Sequence, residues 1–286
     1  MALDFTPNAA HAPIFAAAEL RPPTPEAPPV RIVIRQPSSS TDSLKLLATG
    51  RADLAVLDIH DLGLARERGE DLVGVGALVN RQLAAVIARD DIRRPRDLEG
   101  KRVGVTGLPS DDAVLRAVIE RDGGDFDRVK RVTIGFTAVP SLVARKVAAV
   151  TAFWNVEGIT LRRRGVRTRE FRLDARGSRY PELVFATTRA KLRSQRKNLE
   201  TALSAISDGT GPAIDAPGMV VPLIARAGQT DPKLVRAELD AIRPAFLTGM
   251  RLPEHALRNW ARFDVRYGIL KRPPDLRAAF EELIPY

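Results

Sequence analysis

The order of elements in this sequence predicts an α/β protein of two lobes with a ligand cleft between them. Three observations carry that expectation. Short apolar segments alternate with helical ones through the first two-thirds of the chain, the pattern of sheets covered by helices. The series stops at a turn near Asp97 and begins again, so two sheets are expected. The last third is helical and brings no strands, so its helices must pack back on a sheet already built. A length of 286 residues leaves room for two modest cores.

The elements follow in order. Ala2–Phe5 reads as a short strand, and Pro13 suits the first turn of a helix running through Glu19. Pro22–Pro29 is a proline-rich loop. Val30–Arg35 alternates apolar and charged residues and is expected to be a strand. Ser38–Asp42 offers several N-caps to a helix over Ser43–Ala48, which Gly50 closes. Ala52–Leu57 is a strand, Ile59–Glu67 a helix closed by Gly69, and Leu72–Val79 and Leu83–Ala88 are strands. After the restart come a strand ending at Val105 and a helix through Arg121. Strands at Val129–Phe136 and Ala149–Phe153 flank a helix at Val139–Lys146. Thr168–Leu173 and Leu183–Thr187 finish the strand set, and helices follow at Leu192–Ser207, Lys233–Ala245, Pro253–Tyr267 and Leu276–Leu283. One lobe is then residues 1–86 with 188–286, and the other 87–187. The chain crosses near Ala85–Asp90 and again near Val184–Thr188.

Composition removes several function classes. There is no cysteine, which excludes thiolate catalysis, iron–sulfur ligation, structural cysteine–zinc sites and disulfides. The three histidines, His11, His60 and His255, are too scattered for a paired zinc motif, and there is no Gly-x-Ser-x-Gly and no P-loop. No metal or cofactor is expected. The net charge of +10 admits a polyanion partner, but the basic runs are short and scattered and aromatic residues are 5%. That is too few for a base-stacking platform, so nucleic acid is set aside. No apolar run reaches the roughly 18 residues of a membrane helix. Met1 leads straight into Leu3 without the basic and apolar regions of a signal peptide, which fits a cytoplasmic protein or an extracytoplasmic one without its leader.

Two stretches carry candidate chemistry. In Leu3–Pro13 an apolar strand ends in Phe5, Asn8 and His11, and a helix opens at once. In Ala152–Gly158 a second strand ends in Trp154, Asn155 and Glu157. Ligands in such sheets bind at the carboxyl ends of strands. Asp58 and His60 end another strand, and the helix-opening loops Ser38–Asp42 and Thr106–Asp112 add Ser40 and Thr106. Each also has an ordinary reading: Phe5 and Trp154 as core rings, Asn8 and His11 as caps, Glu157 as a surface acid at a helix start.

Leu3–His11 (LDFTPNAAH), Ser39–Val56, Leu64–Val79, Leu98–Val105 (LEGKRVGV) and Phe153–Gly158 (FWNVEG) together resemble the NMT1/THI5-like branch of the type II periplasmic-binding-protein superfamily. The Gly-Lys-Arg-Val-Gly-Val element is common to many solute-binding families. The opening Asp-Phe-Thr-Pro-Asn…His is more specific and, with Asn155–Gly158, is similar to the pyrimidine-precursor binders of thiamine salvage. The resemblance implies the two-lobe type II fold and a monomer that binds a small planar ligand and docks on an ABC transporter permease. It also implies an extracytoplasmic location, no catalysis and no cofactor. Phe5 and Trp154 would sandwich a formylaminopyrimidine or hydroxymethylpyrimidine while Asn8 and Glu157 fix its edges. The pyrimidine synthases on this fold use a cysteine-rich motif, which this chain lacks. Two alternatives stay open: an enzyme of the menaquinone-pathway type, with Asp58, His60 or His11 as general base, or a binder of riboflavin, a sulfonate or a nitrate-type anion.

Overall fold

A computed structural model of the protein describes residues 1–20, 30–39, 41–174, 179–246 and 248–284. The predicted loop Pro22–Pro29 and the candidate Ser40 lie outside the described residues.

Two mixed sheets organise the chain. The first has three strands in the order β1 (Ala55–Asp58), β8 (Leu183–Thr188), β2 (Leu72–Val79), with β8 antiparallel to both neighbours. Ala2 bridges Ala55 and Arg35 in parallel and extends this sheet. The expected strands at Ala2–Phe5 and Val30–Arg35 therefore contract to single bridged residues. The second sheet has five strands in the order β5 (Lys130–Thr133), β4 (Arg102–Val105), β6 (Ala149–Phe153), β3 (Ala84–Arg89), β7 (Thr168–Arg172). Its parallel half is β5-β4-β6, and β3 runs antiparallel to β6 and β7.

This partition moves the lobe boundary. The predicted break at residue 86 falls inside β3, which belongs wholly to the second sheet. The predicted crossing at Val184–Thr188 falls inside β8, which belongs to the first. The connections between sheets are residues 80–83 and 173–182. An apolar run marks a strand but does not reveal which sheet that strand joins.

Helices follow the predicted order: α1 (Ala12–Glu19), α2 (Asp42–Ala48), α3 (Ile59–Glu67), α4 (Pro109–Arg121), α5 (Ala138–Val143), α6 (Ile159–Arg163) and the long α7 (Arg189–Asp215). Then come α8 (Pro217–Gly228), α9 (Pro232–Ile242), α10 (Glu254–Arg266) and the short α11 (Leu276–Ala279). Neither α6 nor α8 is among the helices expected from the sequence. The predicted helix to Leu283 stops at Ala279, because Phe280 turns extended and bridges Gly74, whose carbonyl accepts from the Glu281 amide at 2.9 Å. Gly209 lets α7 lie directly against α1: a Cβ there would stand 2.6 Å from the Pro13 carbonyl oxygen.

The cores meet across the sheets. Leu3, Val56 and Phe185 from the first sheet's side, Ile87, Val150 and Trp154 from the second, and Leu199, Val220 and Val235 from α7–α9 belong to one buried apolar cluster. Helix α7 packs on β2 and β8 of the first sheet, and α9 packs against α6 and the turn that follows β6.

Candidate functional site

A cavity of about 100 Å³ lies between the two sheets. Its first wall comes from the N-terminal segment (Asp4, Phe5), α2 (Ser43) and the β1–α3 junction (Leu57, Asp58, Asp61). Its second wall comes from Thr106, the start of α4, Phe136, the end of β6 and Glu157. Glu182 enters from the second connection.

The aromatic feature of the cavity is Phe5 with Phe136, one from each wall, packed edge to face with centroids 4.5 Å apart and planes at 69°. Trp154 is not the second plate. It is 3% exposed, its indole donates to the Gln82 carbonyl at 3.0 Å, and the Arg172 and Arg81 guanidiniums cover its ring at 4.1 and 5.4 Å. The reason is a π-helical turn over Trp154–Gly158, which rolls Trp154 under the sheet and brings Glu157 to the cavity. Asn155 is fully buried outside the cavity wall, with both side-chain polar atoms unpartnered.

Asn8 and His11 form a cap rather than a ligand edge. Asn8 Oδ1 accepts from the Ala10 amide at 2.8 Å, its amide nitrogen donates to the Thr6 carbonyl, and its backbone N–H donates to His11 Nδ1 at 3.2 Å. With Nδ1 accepting, the ring proton sits on Nε2, which donates to Asp4 Oδ1 at 2.8 Å. His11 is wholly buried and reaches the cavity only through Asp4, whose carboxylate it positions. Thr106 does line the cavity, and both its backbone N–H and its hydroxyl donate to Asp111.

Six carboxylates face this space, Asp4, Asp58, Asp61, Asp111, Glu157 and Glu182, and its described lining contains no lysine, arginine or histidine. Burial disfavours the charged form of Asp58, Asp61, Asp111, Glu157 and Glu182. It pushes Glu157 up to about 7, against the Phe153 amide that donates to its Oε2 at 3.1 Å. It raises Asp61 to about 7, offset partly by His60. Asp58, Asp111 and Glu182 are also raised by burial. Asp58 caps α3 by accepting from the His60 amide at 2.9 Å. Glu182 is fully buried: its Oε2 accepts from the Leu83 amide at 2.9 Å and its Oε1 has no partner.

His60 stands behind the wall rather than in it. It is 1% exposed, and its Nδ1 pairs with Asp264 of α10. Burial alone would lower its pKa. Asp264, then Asp58 and Glu182, outweigh that and push it up to about 10. One ligating atom from each of Asp58, His60 and Glu182 lies within 4.8 Å of the others, the set among the described residues that could hold a metal ion.

Asp61, Asp111, Phe136 and Glu182 were not singled out from sequence. Asp61 had a signal, since three residues after Asp58 it shares a helix face. Phe136 had one too, an aromatic at a strand end like Phe5.

Comparisons place the chain among known proteins. The family model described as NMT1/THI5 like matches residues 27–219. A formylaminopyrimidine-binding protein of Halalkalibacterium halodurans is 33% identical over 192 residues, 66% of this chain and 58% of that protein. A putative thiamine biosynthesis protein of Haemophilus influenzae is 30% identical over 158 residues, 54% of this chain and 50% of that protein. The chain thus spans between half and three-fifths of these relatives. Among solved structures, an alkanesulfonate-binding protein of Xanthomonas axonopodis pv. citri superposes with a TM-score of 0.78 at 15% identity, covering 99% of this chain and 98% of its own. The desulfurization enzyme DSZB superposes at 0.66 with 18% identity, covering 99% and 96%. The two-lobe type II periplasmic-binding-protein fold implied by the sequence is the fold found.

Proposed function

Because this chain belongs to the NMT1/THI5-like family, we propose that it is the solute-binding component of an ABC importer and that its solute is a thiamine pyrimidine precursor of the formylaminopyrimidine or hydroxymethylpyrimidine type. The observation that carries this reading is Glu157 facing a cavity crossed by an aromatic pair. An aminopyrimidine presents an exocyclic NH₂ beside a ring nitrogen. Burial holds the Glu157 carboxyl up to about 7, so near neutrality it can carry the proton of a hydrogen bond to that nitrogen. The second carboxyl oxygen takes the NH₂. Phe5 and Phe136 supply the flat contact, and ordering of both walls around one ligand favours the closed arrangement. The relative from Halalkalibacterium halodurans supports the same solute class by its name.

The rival solutes fit this cavity less well. A sulfonate or nitrate-type anion would meet six acids and no cationic side chain in the described lining. The enzyme reading keeps one supporting fact, that DSZB has this fold, but His60 is locked to Asp264 and His11 to Asp4, away from the open space. An extracytoplasmic location and a permease partner belong to this reading. No helix among the described residues is long and apolar enough to cross a membrane.

Titration calorimetry with the two pyrimidines tests it. Glu157→Gln loses the shared proton and is expected to bind at least about tenfold more weakly, roughly 1.4 kcal/mol, with an unchanged fold by circular dichroism. Unchanged affinity in that variant removes Glu157 from the site.

A further inference from the structure

A second and larger hollow lies beside the two connecting segments. It holds about 500 Å³, against about 100 Å³ for the inter-sheet cavity. That is within the roughly 300–1,000 Å³ of ordinary small-molecule sites. Helix α4 contributes Ala117 and Arg121 to its lining, and α10 contributes Arg262, Phe263 and Arg266. Gln82 and Tyr180, one from each connection, line it as well. Helix α4 packs on β3 and β6 of the second sheet, and α10 packs on α3 beside the first. Both lobes therefore build this hollow.

Its charge is the reverse of the cavity's. Arg121, Arg262 and Arg266 all line it, and the one acid in its described lining, Glu120, pairs with Arg116 at 3.7 Å, outside the hollow. Arg262 donates to the Asn259 side chain, and Arg266 lies over the Tyr267 ring at 5.4 Å. Among the described residues no carboxylate pairs with any of these three guanidiniums. Positive charge gathered in a concave site draws an anion to it. Beside that charge, the rings of Tyr180, Phe263 and Tyr267 form a ladder, with successive centroids 5.6 and 4.8 Å apart. Tyr180 is buried, whereas Phe263 and Tyr267 are half-buried and keep ring surface open to the hollow.

We propose that this hollow is a second ligand site, one that takes a phosphate monoester carried on a flat ring. A guanidinium fork matches phosphate oxygens two at a time. A monoester brings about −1.5 to −2 charges at neutral pH, enough to answer more than one arginine, whereas a single carboxylate answers one. The ring lies against Phe263 and Tyr267, surface that a bare inorganic anion leaves unused. The inter-sheet cavity, with six acids in its lining, repels the same molecule. The two sites thus sort their ligands by charge. The second stands on its own residues and holds whether or not the first takes a pyrimidine. A guest held by α4 and α10 together also favours the arrangement in which those helices are close, so its occupancy bears on how the lobes part.

The test is titration calorimetry on the purified chain at about 50 mM salt, where screening is weak. The probes are phenyl phosphate, inorganic phosphate and phenol. Phenyl phosphate is expected to bind about five- to tenfold more tightly than inorganic phosphate, and phenol to give no measurable heat. Arg262→Gln and Arg266→Gln, at exposed positions of α10, should each weaken phenyl phosphate by at least about threefold. Phe263→Leu and Tyr267→Leu should bring the phenyl-to-inorganic ratio towards one; circular dichroism checks every variant, and two of each kind guard against one failing to fold. Glu157→Gln, in the other cavity, should leave phenyl phosphate binding unchanged. No binding of phenyl phosphate at about 5 mM, equal affinity for inorganic phosphate, or affinity untouched in the folded arginine variants overturns the inference. So does a ratio that survives in the folded ring variants. Loss of binding in Glu157→Gln places the probe in the inter-sheet cavity and overturns it too.

Discussion

Phe5 and Phe136 meet across the cavity, while Trp154 meets only protein. The two rings therefore respond differently to truncation. Phe136→Ala should weaken pyrimidine binding by about tenfold, the value of a lost aromatic contact of 0.5–1.5 kcal/mol together with some buried area. Trp154→Phe should lower the melting temperature, since it removes an indole hydrogen bond and weakens two cation–π contacts, and leave affinity within about threefold. Fluorescence titration and thermal melts check both, and the reverse pattern would restore Trp154 as a ring plate. Phe5, Asp58, Thr106 and Glu157 stand out in the sequence because each lies at or just past the end of an apolar segment, and such ends face clefts in this architecture. Trp154 misled for a local reason: a π-helical turn rotates the chain by one extra residue, and no spacing in FWNVEG announces it. Glu182 was hidden because an acid after Pro181 looks like any surface turn. Only the pairing of β8 with β1 and the contact with Leu83 give it meaning.

At the scale of elements, α9 lays a buried acid over the N-terminal cap. Glu238 is 3% exposed and accepts only a long 3.4 Å bond from the Ala9 amide. Burial, with the nearby Glu157, pushes it up to about 8. An unfolded glutamate ionises near 4.3. Between those values the folded chain holds a proton that the unfolded chain has released, so stability is full below the lower value and falls as pH rises through the upper one. Thermal melts from about pH 5 to about pH 8 should show a declining midpoint, and Glu238→Gln should flatten the decline. A slope identical to the parent's would mean that this carboxyl does not titrate in the folded state. Helix propensity and apolar spacing located α3, α4 and α10 closely, but α8 escaped because Pro217, Gly218 and Pro222 look like a loop. Its existence depends on Val220, Val221 and Ile224 finding the α7–α9 cluster, a gain that local sequence does not carry.

Over the whole molecule, charge is divided by place. The chain carries +10, yet every charged residue in its described cavity lining is an acid. Arginines serve the exterior and the connections, where Arg81 pairs with Asp174 across the two crossing segments. On the proposed function, a cavity of only about 100 Å³ admits a pyrimidine when its two walls part. Small-angle scattering should then give a larger radius of gyration for the chain alone than for the chain saturated with a bound pyrimidine. Identical radii in both states would show that the lobes do not part.

Glu182 also sets a limit on how this protein can diverge. It accepts from the Leu83 amide of one connecting segment from its seat on the other, and it also belongs to the chamber wall. A tie between the two connections and a piece of the wall are thus one side chain. A replacement that reshaped the wall there would loosen that tie in the same stroke, so the wall is more readily altered on its far side, around Thr106 and Phe136, where a substitution leaves the tie intact.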